Sequence, residues 1–164
     1  MRRGVMETGQ VERGAEGWRA TLIRALPQST GSVWDTLTKP ALFSKWLAQG
    51  TIELQQGGAV NLEFEGSGTV IDSSVTEYDE GSLLAFNWSR SGEPGRMVRL
   101  LLSPAGTGSL LEVSLTLPDD EDIAKHCAGW EAHLAMLQAA LDGVPMEFPF
   151  ELFMQAREAY SGLI

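Results

Sequence analysis

Residues 118–145 read PDDEDIAKHCAGWEAHLAMLQAALDGVP, and this stretch sets the architecture. Asp119 is placed to cap a helix, with Asp120, Glu121 and Asp122 at the positive end of its dipole. Ile123, Cys127, Trp130, Leu134, Leu137 and Leu141 follow at alternating steps of four and three, which is one continuous apolar stripe. Gly143 and Pro145 supply the stop. The helix so bounded has about 24 residues and spans roughly 36 Å at 1.5 Å per residue. A stripe that long needs an equally long apolar surface to cover it.

That surface lies upstream. Between Gly50 and Leu117, Gly-rich turns recur at near-regular intervals, as at Gly57-Gly58, Gly66-Ser67-Gly68, Asp79-Glu80-Gly81, Ser91 to Gly95 and Gly106-Thr107-Gly108. Such spacing predicts consecutive hairpins. Val60, Leu62 and Phe64 alternate with Asn61, Glu63 and Glu65, and Leu111, Val113, Leu115 and Leu117 alternate with Glu112, Ser114 and Thr116. A period of two puts one face in the core and the other in water. Leu84, Phe86 and Trp88 share a face of another strand, and Met97, Arg99 and Leu101 share a face of the next. The expectation is a meander of roughly six strands whose inner face receives the helix. Further upstream, Ser29 or Thr30 can cap a short helix carrying Val33, Trp34 and Leu37. Pro40 opens a second, with Leu42, Phe43, Trp46 and Leu47 as its apolar face. Trp18 to Leu26 reads as a first strand.

Residues 1–16 are polar and without period, and are expected to be a loose leader, with Met6 an alternative start. The body is then 17–145, and the aromatic-rich tail 146–164 is expected to pack back on it. The length of 164 residues suits one domain. Net charge is −10 and the arginines and lysines are scattered, which argues against DNA, RNA or an anionic membrane as partner. No run approaches the roughly 18 apolar residues of a membrane span, and no secretory signal is present. With a lone cysteine, Cys127, these features point to the cytoplasm.

Four segments, in this order, carry a resemblance. Ser32 to Trp46 (SVWDTLTKPALFSKW) is similar to a V-W-x-x-L-T-x-P opening, and Gly57-Gly58-Ala59-Val60 to a Gly-Gly hairpin with Ala59 in the usual aromatic place. Leu83 to Trp88 resembles a strand ending in Trp, and Gly129-Trp130 with Leu134 and Leu137 resembles G-W-x-x-x-L-x-x-L. Over about residues 17–142 the chain resembles the activator of Hsp90 ATPase homologue family, of the START, SRPBCC and birch-pollen-allergen superfamily. Thr116-Leu117-Pro118 departs from the Thr-His pair that many relatives carry there. The resemblance implies an α+β helix-grip fold, with a curved antiparallel sheet of six or seven strands wrapped on the long helix. It also implies an apolar cavity between the two.

The residues expected around such a cavity are Trp34, Phe43, Trp46, Phe64, Phe86, Trp88, Met97, Arg99, Leu101, Trp130, His133, Leu134 and Leu137. Aromatics at this spacing also serve simply as core. Arg99 among apolar neighbours would invite a carboxylate, with Tyr78, Asn87 and His133 as further polar groups, provided that the strand register turns it inward. His126 and His133 stand nearly two turns apart, about 10 Å, too far to share a metal ion. Cys127 reads as a buried thiol, and no catalytic constellation, phosphate loop or cofactor motif appears. The expected function is binding of a small hydrophobic molecule without catalysis, metal or cofactor. The alternatives are a regulator of a chaperone ATPase, which the resemblance associates with stress response, or a cyclase- or hydrolase-type enzyme using Arg99 and His133. A chaperone or a second copy of the chain are the other partners considered.

Overall fold

The computed structural model describes residues 7–64 and 66–164; the Met6 start and the outward placement of Glu65 lie outside them. The elements run β1 Gln10–Gly14, β2 Gly17–Leu26, α1 Thr30–Thr38, α2 Pro40–Phe43, β3 Gln49–Ile52, β4 Ala59–Phe64, β5 Thr69–Asp79, β6 Leu83–Asn87, β7 Met97–Ala105, β8 Gly108–Leu117, α3 Ile123–Leu141 and α4 Phe150–Ser161. One eight-stranded sheet has the order β1-β2-β8-β7-β6-β5-β4-β3. Every neighbouring pair is antiparallel. This is the α+β helix grip that the sequence resemblance implies, with six strands after the paired helices and two before them instead of one.

The additional strand is β1, which the polar leader conceals. Val11 pairs opposite Ala20 and packs against the core, while the rest of β1 is exposed. Backbone pairing to β2, not burial, holds this edge, so no apolar period marks it in the sequence. Gly50, at φ +143, brings β3 against β4 where an added Cβ would lie 1.9 Å from the Asn61 carbonyl oxygen.

The sheet's inner face is continuous and apolar. Trp18, Ala20 and Leu22 of β2 stand opposite Leu117, Leu115 and Val113 of β8, and Leu115, Val113 and Leu111 stand opposite Val98, Leu100 and Leu102 of β7. All of these are buried. On β7 this register reverses the expected face: Met97, Arg99 and Leu101 point away from α3. Both faces of β7 are rich in apolar residues, so its own period cannot choose between them.

Helix α3 is shorter than expected at 19 residues, and its cap is Asp122, whose side chain accepts the Lys125 backbone N–H, rather than Asp119. Asp119 to Glu121 form the approach. Gly143, at φ +73, follows the last turn in the left-handed conformation that ends many helices. The stripe faces the sheet, but α3 has a second cover. Tail residues 150–161 form α4, which packs on α3 and buries Ala156 and Tyr160. No helix among the described residues is long and apolar enough to cross a membrane.

Candidate functional site

Rings from β4, β6 and α3 and from the segments just past α2 and β6 converge between the sheet and α3. Trp88, just past β6, lies 5.1 Å from Trp130 of α3, 5.4 Å from Phe64 of β4 and 6.0 Å from Phe86 of β6, centroid to centroid. Trp130 continues to Trp46 at 6.4 Å and to His133 at 6.0 Å. The tilted and edge-on geometries are those that aromatic quadrupoles favour. Trp46 donates its indole N–H to the Thr36 carbonyl at 2.8 Å, which satisfies the polar atom of a ring buried past α2.

The expected site residues therefore divide into four groups. Phe43, Trp46, Phe86, Trp130, Leu134 and Leu137 are fully packed core. Phe64, Trp88 and His133 are half-buried and form the edge where this core reaches the surface. Trp34 belongs to another contact, with its ring 6.1 Å from Tyr78. Met97, Arg99 and Leu101 leave the site altogether because of the β7 register, and Arg99 instead meets Glu77 at 3.1 Å on the outer face. Arg99 and His133 thus lie on opposite sides of the sheet and cannot act together on one substrate. Asn87 turns its side-chain oxygen to the Arg96 N–H at 2.8 Å, bracing the β6–β7 loop.

Where the rings surface, a groove of about 290 Å³ opens between the β4–β5 turn, the β6–β7 loop and the first turns of α3. Ile71 and Trp88 line its apolar side, and Ser89, Arg90, Glu93, Arg96 and His126 its polar side. Arg96 is held at 2.6 Å by Glu121 and at 3.8 Å by Glu93, so its charge is largely matched within the rim. Sequence reasoning missed this rim, since its members come from a turn region and a helix approach with no period to read. Phe148 was missed too. It follows α3 and sets its ring edge-on to His133 at 5.9 Å, with Phe153 of α4 at 5.8 Å behind it.

His133 donates Nδ1–H to the Trp46 carbonyl at 2.8 Å. Burial lowers its pKa, and the hydrogen bond only partly opposes that. The unfolded chain therefore takes up a proton first as pH falls. The stability contributed by neutral His133 is complete above the ordinary imidazole value near 6.5 and drains away below it. His126, lowered chiefly by burial against the opposing pull of Glu121, acts in the same direction. Urea unfolding at about pH 7.5 and about pH 5 should show a loss at the lower pH that His133→Asn reduces. An unchanged loss in the variant would remove His133 from this role. Burial also pushes the Cys127 thiol up to about 12, so it is no nucleophile. No group of three or more His, Cys, Asp or Glu side chains suited to a metal is found among the described residues.

A sheet gripping one long helix, with an aromatic edge opening into a groove, defines the helix-grip class. The chain belongs to the activator of Hsp90 ATPase homolog 1-like family, whose sequence profile matches residues 27–142. Among solved structures it is similar to CalU16 from Micromonospora echinospora, with 21% identity and a TM-score of 0.76 over 98% of each chain. A protein encoded by gene BPP1335 of Bordetella parapertussis is 26% identical, with a TM-score of 0.70 over 98% of this chain and 93% of that one. DynU16, a putative protein in the dynemicin biosynthetic locus, is 24% identical, with a TM-score of 0.70 over 77% of this chain and 48% of its own. No curated protein matches the chain in sequence.

Proposed function

We propose that this protein binds a small, mostly apolar molecule at the aromatic edge, without covalent chemistry. The observation that carries the reading is the position of Trp88, which is at once the apolar wall of the groove and the hub of the ring cluster. A ligand ring laid in the groove extends a stack that the protein has already built, so little ordering is required on binding. The groove lies at the lower limit of small-molecule sites, which suits a ligand of one or two rings. Ser89, Arg96 and His126 would orient its polar end.

The test is titration with a naphthalene-sulfonate dye and a panel of small aromatic compounds, read by tryptophan quenching and thermal shift. Saturable binding that Trp88→Ala weakens about tenfold, the worth of roughly one aromatic contact, supports the reading. No saturable binding across the panel, or binding that Trp88→Ala leaves unchanged, overturns it. The family match favours one other reading, regulation of a chaperone ATPase through a protein contact. That reading requires a saturable change in chaperone turnover on adding the protein.

A further inference from the structure

The face of the sheet opposite α3 holds a second concavity, a trough of about 410 Å³ that crosses β2, β8, β7, β6 and β5. The floor is made of small side chains. Ala85 is fully buried there although it points away from the core, and Ser114 and Thr116 sit beside it. Arg99 stands between them, paired across the strands with Ser114 on one side and Ala85 on the other. Arg19 of β2 stands opposite Thr116, which is itself opposite Met97. Long side chains thus wall a floor of short ones, and the register alone creates the hollow.

Most donors on this trough are unspent, although the Glu77 carboxylate at its β5 side engages one of them. Arg99 gives its Nε to Glu77 at 3.1 Å, and no hydrogen bond engages its two terminal nitrogens among the described residues. Arg19 has no carboxylate within ion-pair distance among the described residues, and the Ser114 and Thr116 hydroxyls make no side-chain hydrogen bond there. On a chain with 22 acidic and 12 basic residues, two guanidinium groups sharing one hollow are well placed to find carboxylates nearby, yet only one of them has done so. The half-buried Met97 side chain adds an apolar wall next to these donors.

We infer that this trough is a second binding site, for a small organic carboxylate. The guanidinium fork of Arg99 accepts a carboxylate in bidentate fashion, Arg19 and the two hydroxyls reach its flanks, and Met97 covers the apolar body. The volume falls within the range of small-molecule sites. This site is separate from the aromatic groove, because the sheet lies between them.

The test uses the full chain, isotope-labelled, with sodium benzoate as probe and with sodium phosphate and sodium chloride at matched ionic strength as comparisons. Benzoate should give saturable shifts of the Arg99 Nε–H, the Ser114 and Thr116 amides and the Met97 methyl. Replacing Arg19 and Arg99 together with alanine should weaken binding by tenfold or more, given two charge-assisted contacts. Thr116→Glu, at an exposed position, places a carboxylate in the trough and should abolish the shifts. It keeps the test decisive if the double variant folds poorly. Trp88→Ala should change nothing here, so failure of the groove and failure of the trough are read separately. Absent or unsaturable benzoate shifts, shifts that persist in Thr116→Glu, or equal shifts with phosphate and chloride would overturn the inference.

Discussion

Glu131→Ala lowers the unfolding free energy by about 3 kcal/mol, the lower end of what removing one partner from a buried ion pair costs. Glu131 has a side chain only 3% exposed, yet it lies on a helix otherwise packed with apolar residues. One carboxylate oxygen meets the Arg24 guanidinium from the inner face of β2. The other accepts the Tyr160 hydroxyl of α4 at 2.6 Å, and the same hydroxyl accepts the Gly9 N–H at 2.7 Å. Burial, followed by the hydrogen bond to Glu131, raises the Tyr160 pKa well above that of an ordinary phenol. One carboxylate thus ties together β2, α3, α4 and the residue leading into β1.

Removing it strands Arg24 and leaves the Tyr160 hydroxyl without its acceptor. Arg24 keeps 26% of its side chain exposed, so water recovers part of its charge, which is why the lower end of the range applies. For a domain of this size the melting temperature should fall by about 6–12 °C. Glu131→Gln, which keeps an acceptor for Tyr160, should cost roughly half as much. Arg24→Met combined with Glu131→Leu removes both charges and should recover most of the loss. Thermal and urea unfolding of the set checks the point. A loss below about 1 kcal/mol for Glu131→Ala would mean that the network contributes geometry but little stability.

Trp130→Ala should cost about 3–5 kcal/mol, the range for deleting a large buried aromatic. Trp130 is 3% exposed and touches Trp46 past α2, Trp88 past β6 and His133 of its own helix, so no single movement closes the space it leaves. The new cavity lies next to the groove. Added indole should therefore raise the melting temperature of the variant and not that of the parent protein, by binding only the folded state. If the stability loss is below about 1.5 kcal/mol, the ring is not central to the packing. If indole has no effect, the neighbouring rings have collapsed into the gap and the groove is not continuous with the cluster.

Much of the fold is legible in local patterns because its elements have one-sided faces. The α3 stripe from Ile123 to Leu141, the alternation in β4 and β8 and the Gly-rich turns each state a burial pattern that tertiary contacts then satisfy. The aromatic edge was legible for the same reason: Phe64, Phe86, Trp88, Trp130 and His133 occupy inward positions of periodic elements, and these elements pack together. Arg24 could have been read. It sits at even spacing from Leu22 and Leu26 and so had to face inward, which calls for a buried partner.

Residue patterns and the resemblance they carry thus define the class of fold, the order of its elements from β2 to α3 and which aromatics cluster, because hydrophobic periodicity is a local property that burial enforces. Where Arg99 points, which carboxylate answers Arg24 and how Phe148 seals one edge of the cluster follow from long-range contacts alone. Strand β7 carries apolar residues on both faces, so its orientation follows from hydrogen-bond register with β6 and β8 and not from its own composition. The partners of Glu131 are distant in sequence, with Tyr160 29 positions away and Arg24 107. Such pairings leave no periodic trace, because they exist only once separate faces have closed on one another.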